Sequence, residues 1–279
     1  MANYQTAILS YLDVLGFRDL VEKSKEAASH VDTILQILRT MQTQFSAGGR
    51  VEVDAENKPQ SIFRFLNFSD LMIRATFVSQ NVNVVDYLNW ELLNLANKQC
   101  ELVCQGILLR GAVCMAQIYV DERIIFGPAL VNAYLLEKSV AVFPRIVIDD
   151  ELMTLAKNSS GSPMKMRGAL WTEYLTRGED GFYFVDYLTG TFYDRVVYAR
   201  KGAMTGEGTL QAHKAVVLKK LDELGGSDNR RRAKAWWLMH YHNSAIERIR
   251  SWRDPDSETK QSLVEALIDK PLFPWKNPY

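Results

Sequence analysis

The sequence predicts an α+β fold in which helices pack against a mostly antiparallel sheet, followed by a helical extension. Two observations predict this fold class. In the first part of the 279-residue chain, short apolar runs alternate with amphipathic helical stretches, and some runs lie close enough to form hairpins. After Gly206 only helical patterns follow. We therefore predict a mixed domain over residues 1–205 and a helical extension over 206–279.

The first elements are predicted from the density and spacing of apolar residues. Residues 6–14 form a short apolar run closed by a glycine, which is typical of a buried strand. Apolar residues at helical spacing predict a helix over 30–45. Residues 51–59 are polar and turn-rich. The apolar runs 62–68 and 71–77 are separated by two residues, so they predict a hairpin.

The middle of the chain repeats this alternation. Residues 82–104 form a long amphipathic pattern that predicts a helix, and 106–115 and 117–120 predict two strands. A Gly-Pro pair opens a helix over 127–138, because proline is tolerated in a first helical turn. Residues 144–148 predict another strand. The order of the predicted strands and helices favours strands joined by hairpins over parallel strands joined by helical crossovers.

The last part of the chain is mostly helical. Residues 158–166 are predicted to be a loop, and 181–187 an aromatic strand. Helical patterns then cover 209–224 and 230–252. We find no internal repeat and no low-complexity tract, so the chain is predicted to contain one large domain with a helical appendage.

The composition excludes several classes of protein. Hydrophobic residues make up 47% and charged residues 24%, which is typical of a globular protein. Lys and Arg together number 33, as do Asp and Glu, so a general DNA-binding protein is not expected. No apolar run approaches the ~20 residues of a membrane span, and no signal peptide is visible. The expected location is the cytoplasm, with no membrane partner.

Two aspartates are the main candidates for chemistry. Asp13 ends the first predicted strand, and Asp70 lies in the bend of the first predicted hairpin. A carboxylate beside a core is costly unless it is paired or binds a metal. Two carboxylates on neighbouring strands could hold two hard cations such as Mg²⁺. The alternatives stay open at this point: Asp70 after Ser69 is ordinary turn chemistry, and Asp13 could cap a helix.

Five segments, in their order along the chain, resemble the class III nucleotidyl cyclases over about residues 5–150. They are Leu-Asp-Val-Leu-Gly-Phe at 12–17, Phe-Ser-Asp at 68–70, Leu-Arg-Gly-Ala at 109–112, a Gly-opened helix at 127–137 and Pro-Arg-Ile-Val-Ile at 144–148.

The resemblance implies a ferredoxin-like sheet and a site with two divalent cations, Mn²⁺ or Mg²⁺. It implies that Asp13 and Asp70 are the catalytic metal ligands and that the backbone oxygen of Val14 adds a ligand. The turn containing Gly16 and Phe17 would cradle a triphosphate with its amides, because it precedes a helix. Asn132 would orient the ribose.

This sequence departs from the purine-specific members at three places. Leu66 and Ile124 stand where those members have the Lys and the Asp that read adenine. The helix arginine that stabilises the transition state is also missing, since residues 134–136 are Tyr-Leu-Leu. Without such a cation much of the electrostatic stabilisation would be lost. The basic residues that could substitute are Arg74, Arg110, Lys138 and Arg145.

The segments at 12–17 and 68–70 and the Gly-Pro-Ala helix, with the aromatic strand 180–186 and the helix around 237–243, make the chain similar to the bacterial pyrimidine cyclases of antiphage (Pycsar-type) defence. The loss of the purine-reading residues agrees with a smaller base. That similarity implies a homodimer that converts UTP, or less favourably CTP, to a cyclic monophosphate, which activates a separate effector protein. Arg64 and its neighbours in 63–66 lie at the right sequence distance to line the base pocket. Two alternatives remain: a purine cyclase with unorthodox base contacts, and a catalytically degenerate nucleotide sensor.

Other polar and aromatic motifs have simpler interpretations. Cys100 and Cys104 lie at helical spacing without a second pair, which indicates packing rather than a zinc site. His240 and His242 would face different sides of a helix, so a shared metal is not expected. Neighbouring tryptophans are interpreted as packing residues, and the basic run 230–234 as solvated or in contact with an anion or a partner.

Overall fold

The computed structural model describes residues 3–46, 51–53, 59–61, 63–79, 83–121, 124–159, 171–197, 204–224, 229–252 and 257–269. In chain order the elements are β1 (Gln5–Val14), α1 (Phe17–Ser24), α2 (Ala28–Ser46), β2 (Val51–Val53), β3 (Pro59–Ser61), β4 (Phe63–Phe68), β5 (Leu71–Phe77), α3 (Val84–Cys104), β6 (Leu109–Val120), β7 (Ile125–Phe126), α4 (Pro128–Ser139), β8 (Ile146–Ile148), α5 (Asp150–Asn158), a 3-10 turn (Trp171–Tyr174), β9 (Leu175–Arg177), β10 (Tyr183–Val185), α6 (Tyr187–Val197), α7 (Gly206–Asp222), α8 (Asn229–Trp252) and α9 (Ser257–Ala266).

The main sheet has the strand order β4-β5-β1-β6-β8-β10-β9, with β7 paired to β6. Its neighbouring strands are antiparallel except for β6 and β8, which are parallel. The α+β class with a mostly antiparallel sheet is therefore confirmed. The central strand β1 pairs along nearly its whole length with β6 on one side and with β5 on the other.

The two faces of this sheet have different coverings. Ile8 and Leu12 of β1 belong to the large core beneath α3, and we call this side the α3 face. Ala7 and Leu9 belong to a smaller cluster beneath α4, on the α4 face. Alanines of α4 contact the sheet, and small side chains allow a helix to approach closely. The alternation of β1 thus sends neighbouring residues to opposite environments.

The C-terminal helices pack against the α3 face. Leu210 of α7, Tyr241 and Ile246 of α8, and Leu263 of α9 belong to the same buried cluster as the sheet residues. Helical structure over the described parts of 206–269 agrees with the sequence, while the domain boundary at residue 205 stays a prediction. None of the described helices is both long and apolar enough to cross a membrane.

Several predicted elements need correction. Residues 109–120 form one strand instead of two, because β1 pairs continuously with β6 through Ala116. Strands β2 and β3 form a small hairpin in a region predicted to be only polar and turn-rich. The predicted strand at 181–187 is shorter, because α6 begins at Tyr187. Helices α5 and α6 and strand β9 were not predicted, and most of the predicted loop 158–166 lies outside the described residues.

Candidate active site

The hydrogen-bond register brings Asp13 and Asp70 to one end of the sheet. Leu12 of β1 pairs with Met72 of β5, so the next residue of β1 and the bend before β5 lie side by side. The bend is a two-residue turn in which Ser69 takes a left-handed conformation, with φ of 56°. Burial raises the pKa of Asp13, and the charge of Asp70 and a hydrogen bond with it raise that pKa further. The two carboxylates predicted to act together are therefore adjacent.

One guanidinium lies between two of the carboxylates at this site. Arg110, opposite Asp13 on β6, donates from Nε to Oδ2 of Asp13 at 2.8 Å. The same Nε is 2.7 Å from Oε1 of Glu137 on α4. Because Nε carries one hydrogen, it cannot bond both well, and Oε1 of Glu137 has no well-aligned donor. The pKa of Glu137 is raised, first by burial and also by the charge of Asp13.

The turn after β1 presents backbone rather than side chains. Gly16 has φ of 84°, a left-handed conformation that favours glycine, and it precedes α1 without a side-chain cap. Phe17 is buried in the core, so only its backbone could face a ligand. The side chain of Val14, the last residue of β1, is also buried. The amides at the start of α1 therefore have no side-chain cap, and their binding of a phosphate stays a prediction.

The other predicted binding residues lie on the same side of the molecule. Asn132 is exposed on α4, and Arg64 is exposed on β4, where its Nη1 donates to the Phe63 carbonyl. Arg64 and Leu66 pair with residues of the α4 cluster, so they share the face of Asp13. Phe63 and Phe65 point to the opposite face, where Phe65 packs against the large core and the Phe63 ring contacts the Arg74 guanidinium. Only half of the predicted base-lining segment therefore faces the site.

Of the four basic residues considered for the missing arginine, one lies at the aspartates. Arg110 contacts Asp13 directly. Arg74 is buried on the α3 face, where it pairs with Glu91. Arg145 is buried against Asp180 and the carbonyl of Val140. Lys138 is exposed at the end of α4, with its Nζ 3.3 Å from the hydroxyl of Tyr134.

Sequence reasoning missed the roles of three neighbours. Glu137 was noted only as the end of the α4 pattern, and Tyr11 only as part of a strand. Burial raises the pKa of Tyr11 to about 12, and the charges of Glu137 and Asp13 add to this rise. The rings of Tyr11 and Tyr134 meet edge to face, with centroids 6.1 Å apart. Residue spacing could have identified these residues, since Tyr11 precedes Asp13 by two in a strand and Tyr134 precedes Glu137 by three in a helix.

The donor atoms at this site suit a hard divalent cation. They are carboxylate oxygens of Asp13 and Asp70 and the nearby backbone oxygen of Val14, and oxygen is the donor that Mg²⁺ prefers. The charge of Asp70 and the charge of Asp13 each raise the pKa of a neighbouring carboxyl group, that of Asp13 and that of Glu137, so added positive charge would relieve this repulsion. Within the described ranges, no group of three or more His, Cys, Asp or Glu side chains is arranged to hold a metal. Backbone and substrate oxygens would have to complete the coordination.

Comparison with known proteins gives weak similarities. No family model and no curated protein matches the chain. Among solved structures, the adenylyl cyclase CyaB from P. aeruginosa has a TM-score of 0.41 and 15% identity, covering 66% of this chain and 95% of that one. The monomeric guanylyl cyclase domain of the RhoGC fusion protein from Blastocladiella emersonii has a TM-score of 0.41 and 13% identity, covering 66% and 96%.

A third solved structure, an adenylate/guanylate cyclase/hydrolase from Silicibacter pomeroyi, has a TM-score of 0.35 and 13% identity. It covers 66% of this chain and 98% of that chain. Because the similarities are weak, the functional interpretation rests on the arrangement of this chain's own residues.

Proposed function

We propose that this protein is a nucleotidyl cyclase that converts a pyrimidine nucleoside triphosphate, UTP in preference to CTP, to its 3′,5′-cyclic monophosphate. The observation that carries the proposal is the convergence of Asp13 and Asp70 beside the uncapped start of α1. Carboxylates beside free helical amides suit a substrate that combines phosphates with metal ions.

The reaction is an intramolecular substitution at phosphorus. The ribose 3′-oxygen forms a bond to the α-phosphorus as it loses its proton, the bond from that phosphorus to the bridging oxygen breaks, and pyrophosphate leaves. Two divalent cations, Mn²⁺ or Mg²⁺, would be held by Asp13, Asp70 and the Val14 carbonyl. When bound, such ions supply activation of the hydroxyl and neutralisation of phosphate charge.

The remaining residues of the site bind and orient the substrate. Amides of Gly16 and Phe17 cradle the phosphates, and Asn132 orients the ribose from the exposed side of α4. Arg110, already between two carboxylates, is the cation best placed to face the phosphates. Arg64 lies on the same sheet face, on the edge strand β4, and lines the base pocket.

The pyrimidine preference rests on the residues at the two positions that read purines in the resembling family. Leu66 faces the site side of the sheet, and Ile124 is 54% exposed. Neither supplies the hydrogen bonds that a purine base would need, and an unpaired polar group on the base is costly. A smaller base needs fewer contacts. The product would be a second messenger in antiviral defence, acting on a separate effector, and the enzyme a homodimer.

The test is incubation of the purified protein with Mn²⁺ and each of ATP, GTP, CTP and UTP, followed by mass spectrometry. We expect cyclic UMP as the main product, and its loss in Asp13→Asn and in Asp70→Asn. Asp32→Asn, an exposed aspartate on α2, is the matched control and should keep wild-type turnover. A cyclic purine as the main product would contradict the base preference. Equal activity in all three variants would contradict the assigned site.

A second candidate function is a degenerate nucleotide sensor. The contact of Arg110 with Asp13 favours it, because a guanidinium on that carboxylate competes with a metal ion. This function predicts that UTP binds in the presence of Mn²⁺, as measured by calorimetry, without formation of any cyclic product. Turnover that requires Asp13 would rule it out.

A further inference from the structure

The basic start of helix α8 lies next to the turn that precedes α1. Arg231 forms an ion pair with Asp19, in the first turn of α1, although 212 residues separate them. Asp19 is the third residue after Gly16, so the guanidinium of Arg231 contacts the first turn of the helix that this amide-lined turn precedes. Both side chains of this pair remain more than half exposed.

Hydrophobic packing holds α8 at this end of the sheet. The amide of Leu15 donates to the carbonyl of Leu108 at 2.9 Å, which joins the turn after β1 to the start of β6. Leu108 packs against the cluster formed by α7 and α8, which includes Trp236 and Trp237. The first turns of α8 are therefore anchored near Gly16 by core contacts, in addition to the exposed ion pair.

The charges at the start of α8 are unfavourable for that helix. Its first turn contains Arg230, Arg231 and Arg232 and no acidic residue, whereas the first turn of α1 contains Asp19 beside Arg18. Cations at a helix N-terminus oppose the helix dipole. Sequences break such local rules mainly where function requires it. An anion bound near the start of α8 would turn this repulsion into attraction.

We propose that Arg231, positioned by Asp19, binds the terminal phosphates of the nucleoside triphosphate, so that the C-terminal extension completes the substrate site. The ligand class is a polyphosphate: the triphosphate of the substrate and the pyrophosphate product. Arginine suits this role because its planar fork makes charge-assisted hydrogen bonds to phosphate oxygens. This inference rests on the proposed function for the identity of the substrate.

The matched control for Arg231 is Arg250, on the same helix. Arg250 also pairs with an exposed carboxylate, that of Glu247, at 2.9 Å. Arg231→Ala and Arg250→Ala therefore remove equal charge and a comparable surface ion pair, and each is expected to change stability little. Only the first removes a cation beside the turn at Gly16.

The experiment measures the affinity of inorganic tripolyphosphate by calorimetry, and KM and kcat for UTP, in the full chain and both variants. We expect Arg231→Ala to weaken tripolyphosphate binding and to raise KM roughly tenfold with kcat unchanged, as for loss of a hydrogen bond to a charged group. Arg250→Ala should change neither quantity. Failure of tripolyphosphate to bind the wild-type chain, or equal affinity in all three proteins, would overturn the inference. If no triphosphate is cyclised, the proposed function fails, while the tripolyphosphate measurement still decides the role of Arg231.

Discussion

Two arginine–carboxylate clusters lie on opposite faces of the same central strands. On the α3 face, Glu91 accepts hydrogen bonds from Arg74 at 2.9 and 3.1 Å and from the Ser10 hydroxyl at 2.7 Å. On the α4 face, Arg110 is 2.8 Å from Asp13 and 2.7 Å from Glu137. The first cluster is almost inaccessible to solvent, and the second is partly exposed.

The two clusters differ in how completely their charges are compensated. Burial alone would raise the pKa of Glu91, but Arg74 and Ser10 outweigh it and lower that pKa. The pKa of Asp13 is raised instead, by burial and by Asp70 against the opposing effect of Arg110. A carboxylate that its own protein leaves under-compensated is a candidate for binding a cation or substrate, whereas a fully compensated one indicates a structural role.

The largest predicted effect is loss of the structural pair. Arg74→Ala would leave Glu91 buried without its cation, which costs about 3–5 kcal/mol of unfolding free energy. Urea denaturation would measure this. The double variant Arg74→Met with Glu91→Leu should recover most of the loss, because it removes both charges. If Arg74→Ala lowered the unfolding free energy by less than about 1 kcal/mol, the contrast between the two clusters would be contradicted.

A second polar cluster on the α3 face predicts acid sensitivity. His242 donates from Nε2 to the Ala266 carbonyl at 2.9 Å, so its Nδ1 is free to accept from Nδ1 of His213 at 3.0 Å. Nε2 of His213 then accepts from the Tyr187 hydroxyl. His242 must be neutral for this chain of bonds, because a proton on its Nδ1 would set two N–H groups against each other.

The sign of the pH effect follows from lowered pKa values. Burial, with the charge of Lys214, lowers the pKa of His242 to about 4, and burial with His242 lowers that of His213. The unfolded chain takes up protons below about pH 6.5, which the folded chain resists. The contribution of His242 is therefore complete above about pH 6.5 and falls by roughly 3 kcal/mol as the pH approaches 4, and His213 adds a loss in the same direction.

Denaturation of the wild type and of His242→Gln at several pH values would isolate this contribution. The variant is expected to be less stable at pH 7 and to lose less stability between pH 6.5 and 4. Parallel pH profiles for the two proteins would show that other groups cause the acid sensitivity.

The smallest predicted stability effect is on the α4 face. Asp70→Asn removes a like charge beside Asp13, so unfolding free energy should stay the same or rise by up to about 1 kcal/mol. The proposed cyclase activity should nevertheless fall about 100-fold or more. Denaturation and product formation measured on one preparation would check both. If Asp70→Asn lost as much stability as Arg74→Ala, the cluster on the α4 face would have a structural role like that of the cluster on the α3 face.

Parts of the fold were predictable because they depend on local patterns. Strands β4 and β5 and the turn between them follow from two apolar runs with Ser69 and Asp70 between them. Helix α4 follows from its Gly-Pro start. Helix α6 was missed because its sequence begins as a continuation of an aromatic strand. In the structure Asp186 caps the helix, with Oδ1 accepting from the Thr189 amide, and Tyr187 packs against Tyr241 and His213.

The candidate site was predictable only in part for the same reason. Asp13 and Asp70 stand out in the sequence, since each interrupts an apolar run. Glu137 and Arg231 do not, because charged residues are common on helices and their spacing carries no information about distant partners. Their relevance depends on which elements lie across from β1 and α1.

The sequence by itself determined the α+β class, most of the strands and helices, and the choice of Asp13 and Asp70 as candidate site residues. It could do so because periodicity and turn chemistry act over a few neighbouring residues. Only the tertiary structure decided that Arg110 lies opposite Asp13 and that Arg74 faces the other way. Strand register decides this, because a shift of one residue sends a side chain to the opposite face of a sheet. That register depends on the packing of the whole sheet against its helices.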